Sequence, residues 1–75
     1  MGEFANVKAK QLRRALKKAG FIPYETASSH TTFIHPETHR KTTIAMHPGV
    51  VPKPIVHKIM KQAGLTAEEL KKLLQ

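Results

Sequence analysis

Two stretches with helical periodicity flank a central region rich in β-branched residues, and this order limits the fold more than any other feature of the chain. In residues 7–19 apolar side chains recur every three or four positions, on one face of a predicted helix that Gly20 ends. A second helix is predicted over residues 54–63, with Gly64 after it. Its expected apolar face comprises Ile55, Val56, Ile59, Met60 and Ala63.

The central region predicts three short strands, over residues 21–26, 30–35 and 41–46. Pro23 cannot donate a hydrogen bond to a neighbouring strand, so it suits an edge or an irregular position. The turns at residues 27–29 and 36–40 have hairpin length, and the strands are therefore expected to run antiparallel.

Thr66 and Glu69 have the spacing of a capping box, which predicts a short C-terminal helix. The expected fold is α+β, in the order α-β-β-β-α, with two helices on one face of a three-stranded antiparallel sheet. This architecture resembles the double-stranded-RNA-binding domain. The 75 residues form a single expected domain, in which residues 1–6 are flexible and residues 66–75 are a C-terminal helical extension.

Charge is the composition feature that points to a partner. Thirteen Lys and Arg against five acidic residues give a net charge of +8, which favours polyanions such as nucleic acids. Five of these cations follow the helical period on the polar face of the first helix: Lys10, Arg13, Arg14, Lys17 and Lys18. Such a stripe is either a solvated face or a phosphate contact surface. The absence of acidic residues within it favours a phosphate contact surface.

Other features exclude several classes of protein. The chain has no cysteine, which rules out disulfides and Cys-based zinc sites. No apolar run approaches the roughly 18 residues that a membrane span needs, so a cytoplasmic location and no membrane partner are expected.

Strand alternation predicts which histidine faces solvent. Ile44 is expected to point into the core, and Phe33 is the best core anchor of the second strand. The opposite, open face would then carry His30, Thr32, Ile34, Ala45 and His47, whereas Thr31, His35 and Met46 would point inward. Because Ile34 is apolar, this assignment could slip by one residue.

His30 is the candidate catalytic residue. RNA carries its own nucleophile, the 2′-hydroxyl, so a positioned base among cations is enough for cleavage. The alternative is an ordinary surface histidine. A transition-metal site from His35, Glu37, His39 and His47 matches no strong ligand spacing, and polar turn residues are the favoured interpretation. No metal or cofactor is expected, and His57 is interpreted as structural or as a phosphate contact.

Several segments together resemble HicA-type toxins of type II toxin–antitoxin systems. The residues that carry the likeness are Leu12 to Phe21, Ser29 and His30 at the place of a Gly-Ser-His motif, Thr43 to His47, and Ile59 to Leu65. The sequence departs from that pattern at Glu25, Ser28 and Ala45. The resemblance covers about residues 7–66.

The resemblance implies a metal-independent endoribonuclease that cuts mRNA with His30 as the catalytic residue. It also implies a HicB-type antitoxin that binds over the same face, in a hetero-oligomer with the toxin. Ser29 and His47 join the five helix cations as expected RNA contacts. The alternatives are a non-catalytic RNA-binding module on the same scaffold, and an interaction subunit whose positive charge binds an acidic protein.

Overall fold

The computed structural model describes residues 4–27, 29–45 and 49–75 and has the element order α-β-β-β-α-α. The helices are α1 (Ala9–Lys18), α2 (Lys53–Ala63) and α3 (Ala67–Leu74), and the strands are β1 (Ile22–Ala27), β2 (His30–Ile34) and β3 (Lys41–Ala45). The strands form one antiparallel sheet in the order β1-β2-β3. The predicted fold class is confirmed, and the ends of the elements differ from the sequence prediction by two residues at most.

Strand β1 is an edge strand with an irregularity beside its proline. The register with β2 shifts between Pro23 and Glu25, so that Tyr24 is the extra residue of a bulge. An edge position and a bulge both suit a residue that lacks a backbone N–H. The position predicted for Pro23 is therefore confirmed.

The sheet has one buried face and one open face. Thr31, Phe33, Thr42 and Ile44 are buried, whereas the alternating residues of β2 and β3 are exposed or half-buried. The predicted alternation is confirmed for β2 and for Ile44 and Ala45; Met46 and His47 lie outside the described residues. The Thr42 hydroxyl donates to Oε1 of Gln62 at 2.8 Å, and this bond ties β3 to α2.

Both long helices bury one stripe against the covered face of the sheet. For α1 the stripe is Ala9, Leu12, Ala15 and Leu16, as the periodicity predicted. For α2 it is Val56, Ile59 and Ala63, with Met60 half-buried. The prediction for Ile55 was wrong, because its side chain is 43% exposed. One residue corresponds to about 100° around a helix, so Ile55 lies beside the buried stripe rather than on it.

Helix α3 is part of the packed core. Thr66 accepts from the backbone N–H of Glu69, and the Glu69 carboxylate accepts from the N–H of Thr66, which confirms the predicted capping box. Leu70 is only 1% exposed and belongs to the same hydrophobic cluster as Leu16 and Phe33. The C-terminal helix therefore packs against α1 as part of the core.

The N-terminal segment also contributes to the core. Phe4 lies within residues 1–6, for which flexibility is the expectation, yet its side chain is 5% exposed. Its ring packs edge-on against the ring of His57, with 5.5 Å between centroids. Among the helices within the described ranges, none has both the length and the apolar character that crossing a bilayer requires.

Candidate active site and nucleic-acid interface

His30 is the first residue of β2, and its side chain is exposed. Its neighbours along β2 alternate with it, and Thr31 and Phe33 are buried in the core. Successive side chains of a strand point to opposite faces, so the imidazole projects from the open face of the sheet. Across the ladder His30 pairs with Ala45 of β3, whose single methyl group leaves the ring accessible on that side.

Ser29 is placed to orient the imidazole. The Ser29 hydroxyl oxygen lies 3.5 Å from Nδ1 of His30. In the tautomer that carries its proton on Nδ1, this nitrogen donates to the hydroxyl and Nε2 is the basic nitrogen. Ser28, which precedes this pair, lies outside the described residues.

A groove opens beside His30, between strand β3 and helix α2. It encloses about 520 Å³, within the size range of ligand sites. Its wall on the sheet side is formed by His30, Thr43 and Ala45, and its wall on the α2 side includes Pro52, Ile55 and Lys58. A second hollow of about 340 Å³ shares Thr43, Ile55 and Lys58 and continues along β3 to Lys41.

Sequence reasoning did not identify Lys58 or Ile55 as site residues. Both lie on α2, 25 or more positions after His30 in the chain, and only the packing of α2 along β3 brings them to the same groove. The available signal was the apolar residue Ile55 next to the buried stripe of the helix. Periodicity alone placed it in the core, so this signal was misinterpreted.

Four of the five predicted helix cations line one hollow, and His30 is not part of it. Lys10, Arg13, Arg14 and Lys17 line a separate hollow of about 340 Å³ on α1. Within the described residues, the buried Nη1 of Arg13 has no hydrogen-bond partner. The N-terminal end of α1 lies near the groove. The backbone N–H of Ala9 donates to the carbonyl of Gly49, which precedes the groove residues Val51 and Pro52 in the chain.

Lys18 has a different environment from the other helix cations. Its ammonium group donates to the backbone carbonyl of Gln75 at 2.9 Å and to that of Leu73 at 3.4 Å. These carbonyls lie at the C-terminal end of α3, where a positive charge stabilises the helix dipole. Lys18 therefore links α1 to α3.

His35 has structural contacts rather than a place in the groove. Nδ1 of His35 accepts from the backbone N–H groups of Glu37 and Thr38, and its ring packs edge-on against Phe21. In the part of the chain that the structure describes, no group of three or more His, Cys, Asp or Glu side chains is arranged to hold a metal ion. His47, expected to contact RNA, lies outside that part.

Comparison with protein families identifies the chain. A family model described as the HicA toxin of bacterial toxin–antitoxin matches residues 9–65, from the start of α1 to the residue after α2 and its Gly64 cap. No curated protein matches the sequence. The family match spans more than half of the chain and includes all three strands, His30 and the groove beside it. The chain therefore belongs to the HicA toxin family of bacterial toxin–antitoxin systems.

Proposed function

We propose that this toxin is a metal-independent endoribonuclease that cleaves mRNA in the cytoplasm and uses His30 as its catalytic base. One observation carries this proposal: the imidazole is exposed on the open face of the sheet and lies in the wall of a groove. An RNA strand can reach it there without any rearrangement of the core. Membership of a toxin family supports a harmful activity of this kind.

The proposed reaction uses the nucleophile that RNA supplies. Nε2 of His30 takes the proton of a ribose 2′-hydroxyl, and the resulting oxygen attacks the adjacent phosphorus. The bond between O2′ and phosphorus forms as the bond to O5′ breaks, and O5′ takes a proton from water or from the imidazolium. The products are a 2′,3′-cyclic phosphate and a free 5′-hydroxyl. Nearby cations stabilise the charge of the phosphorane-like transition state.

The proposed RNA contacts are those expected from the sequence. They are Lys10, Arg13, Arg14, Lys17 and Lys18 on α1, Ser29 next to His30 in the chain, and His47. The hollow that collects four of the α1 cations supports a phosphate-binding role for them. The ammonium group of Lys18 already donates to carbonyls at the end of α3, so we expect Lys18 to contribute less to RNA binding than the other cations.

The antitoxin partner of this family member is proposed to be of the HicB type and to cover the open face of the sheet. Ile22 and Tyr24 are exposed on β1, at 51% and 57% respectively. Exposed apolar side chains of this size are common where proteins associate. A partner on this face would also block access to His30.

Replacement of His30 tests the nuclease proposal. We expect His30→Ala to lower the rate of RNA cleavage by about 10²–10⁴-fold, the usual contribution of a positioned base, and to abolish toxicity. RNA binding should remain, because the cations are unchanged. His39→Asn is a matched control, since it removes another exposed imidazole, and Asn tolerates the positive φ of 64° at that position.

Three outcomes would contradict the proposal. Equal cleavage by the wild type and by His30→Ala would exclude His30 as the base, and loss of wild-type cleavage in EDTA would show that the reaction needs a metal. A protein that binds RNA but cleaves none, with either residue at position 30, would be the non-catalytic RNA-binding module.

A further inference from the structure

The groove between β3 and α2 combines cations, hydroxyls and an exposed apolar side chain. Lys58 lies in both parts of the groove, whereas His30 lies in the larger part and Lys41 in the smaller. The hydroxyls of Thr32 and Thr43 lie 3.0 Å apart in the smaller part, and Ile55 is 43% exposed along the α2 wall. Proteins that bind single-stranded nucleic acids use grooves whose cations follow the backbone and whose side chains contact the bases.

Charge on the open face of the sheet differs between its two sides. Glu25 of β1 pairs with Thr32, which in turn pairs with Thr43 of β3. The exposed carboxylate of Glu25 therefore lies on the β1 side of the open face, and Lys58 lies beyond β3, in the groove. The ammonium of Lys41 reaches back over the ring of Tyr24 on β1, 5.1 Å from its centroid, and takes no part in this asymmetry. A phosphate backbone that passes His30 is repelled from β1 and attracted towards α2. The path of the RNA strand across the sheet follows from this difference in charge.

We infer that the RNA strand leaves His30 through the groove between β3 and α2, where the Lys58 ammonium contacts a backbone phosphate and Ile55 packs against a base. This inference rests on the proposed nuclease function. It adds a binding site that is separate from the cationic hollow of α1, which shares no lining residue with the groove. Lys58 is a substrate-positioning residue in this arrangement, and the reacting proton stays with His30.

Binding of an uncleavable RNA tests the groove independently of the chemistry. The probe is a labelled single-stranded RNA of about 12 nucleotides with 2′-O-methyl groups, which lack the nucleophile. Its dissociation constant is measured by fluorescence anisotropy over a range of salt concentrations. The proteins are the full-length wild type, Lys58→Ala, Lys58→Arg and Ile55→Ser. Lys72→Ala is the matched control, because Lys72 is an exposed cation on α3 that lines a different hollow.

Each variant has its own expected signature. Lys58→Ala weakens RNA binding about fivefold, and the slope of log K against log salt decreases in size by about 0.7, the value for one phosphate contact of a single strand. Lys58→Arg keeps both the affinity and the slope. Ile55→Ser weakens binding without changing the slope, because no ionic contact is lost. In cleavage of unmodified RNA, Lys58→Ala raises KM and changes kcat little.

The outcomes separate the groove from the nuclease proposal. If Lys58→Ala and Lys72→Ala have the same affinity and the same salt slope, the groove does not carry RNA, even where the wild type cleaves RNA. If Lys58→Ala weakens only the binding of the antitoxin, the groove is a protein-binding site and the inference is wrong. If the wild type binds the methylated RNA through Lys58 but cleaves no unmodified RNA, the groove stands and the nuclease proposal fails. Thermal denaturation shows whether each variant is folded. If Ile55→Ser does not fold, Lys58→Ala alone decides the result.

Discussion

Nε2 of His35 lies 2.9 Å from the position that a Cβ atom on Gly20 would occupy. Gly20 follows α1 and His35 follows β2, so the two segments lie close together here. Phe21 packs against the same imidazole ring. Gly20, the second residue after α1, also has a φ of +99°. A glycine is therefore required at this position for two independent reasons, its backbone conformation and the space that the histidine occupies.

Replacing Gly20 by alanine is expected to destabilise the domain by more than about 1–2 kcal/mol, the cost of the left-handed conformation alone. The additional cost comes from the displaced His35 ring, which would release the turn between β2 and β3. Urea denaturation gives the free energy of unfolding. Gly49→Ala is the control, since Gly49 has a φ of +120° and open space around it. Equal losses for the two variants would show that the contact with His35 costs nothing.

Leu70→Ala is expected to lower the free energy of unfolding by about 2–5 kcal/mol. Leu70 is 1% exposed, although it lies on α3, beyond residue 65 where the family match ends. Leu74→Ala on the same helix should cost clearly less, because Leu74 is only half-buried. Thermal or urea denaturation measures both. A Leu70→Ala variant as stable as the wild type would mean that α3 is a peripheral extension.

Lys17→Met and Lys18→Met are expected to separate RNA binding from stability. Lys18 donates to the C-terminal carbonyls of α3, so its loss should reduce stability by about 0.5 kcal/mol. Lys17 lines the cationic hollow of α1, so its loss should weaken RNA binding more than that of Lys18 and leave stability nearly unchanged. Denaturation and anisotropy measurements on the same two proteins test this. The reverse pattern would contradict the assignment of both residues.

Glu25→Gln is expected to increase RNA affinity a few-fold. The substitution removes the negative charge on the β1 side of the open face and keeps the size of the side chain. Because Glu25 is exposed, the effect should shrink as salt rises from 0.05 to roughly 0.15 M and screening strengthens. Glu68→Gln, on α3, is the control for a general change of net charge. If the two variants gain equally, the local repulsion proposed for Glu25 does not exist.

Much of the fold followed from local pattern. The helical period of α1, the alternation of β2 around Phe33 and the capping box of Thr66 and Glu69 are each set within a few neighbouring residues. The exposure of His30 follows from the same alternation, because a buried Phe33 forces the residue three positions earlier onto the other face. These elements were predictable since the responsible interactions are short in sequence.

The groove was not predictable in this way. Whether Ile55 is buried depends on where α2 crosses the sheet, and the position of Lys58 beside His30 depends on which strand that helix follows. The burial of Phe4 against His57 likewise joins residues more than 50 positions apart. Periodicity identifies a face of a helix, but it carries no information on what that face meets.

By itself, the sequence determined the kinds of elements, their order and the net charge, and the alternation of β2 indicated the face on which the imidazole lies. Only the tertiary structure decided which cations and apolar groups surround that imidazole. The physical reason is that backbone geometry repeats over two to four residues, whereas the walls of a groove are assembled from segments whose relative placement is set by the shape of the whole core.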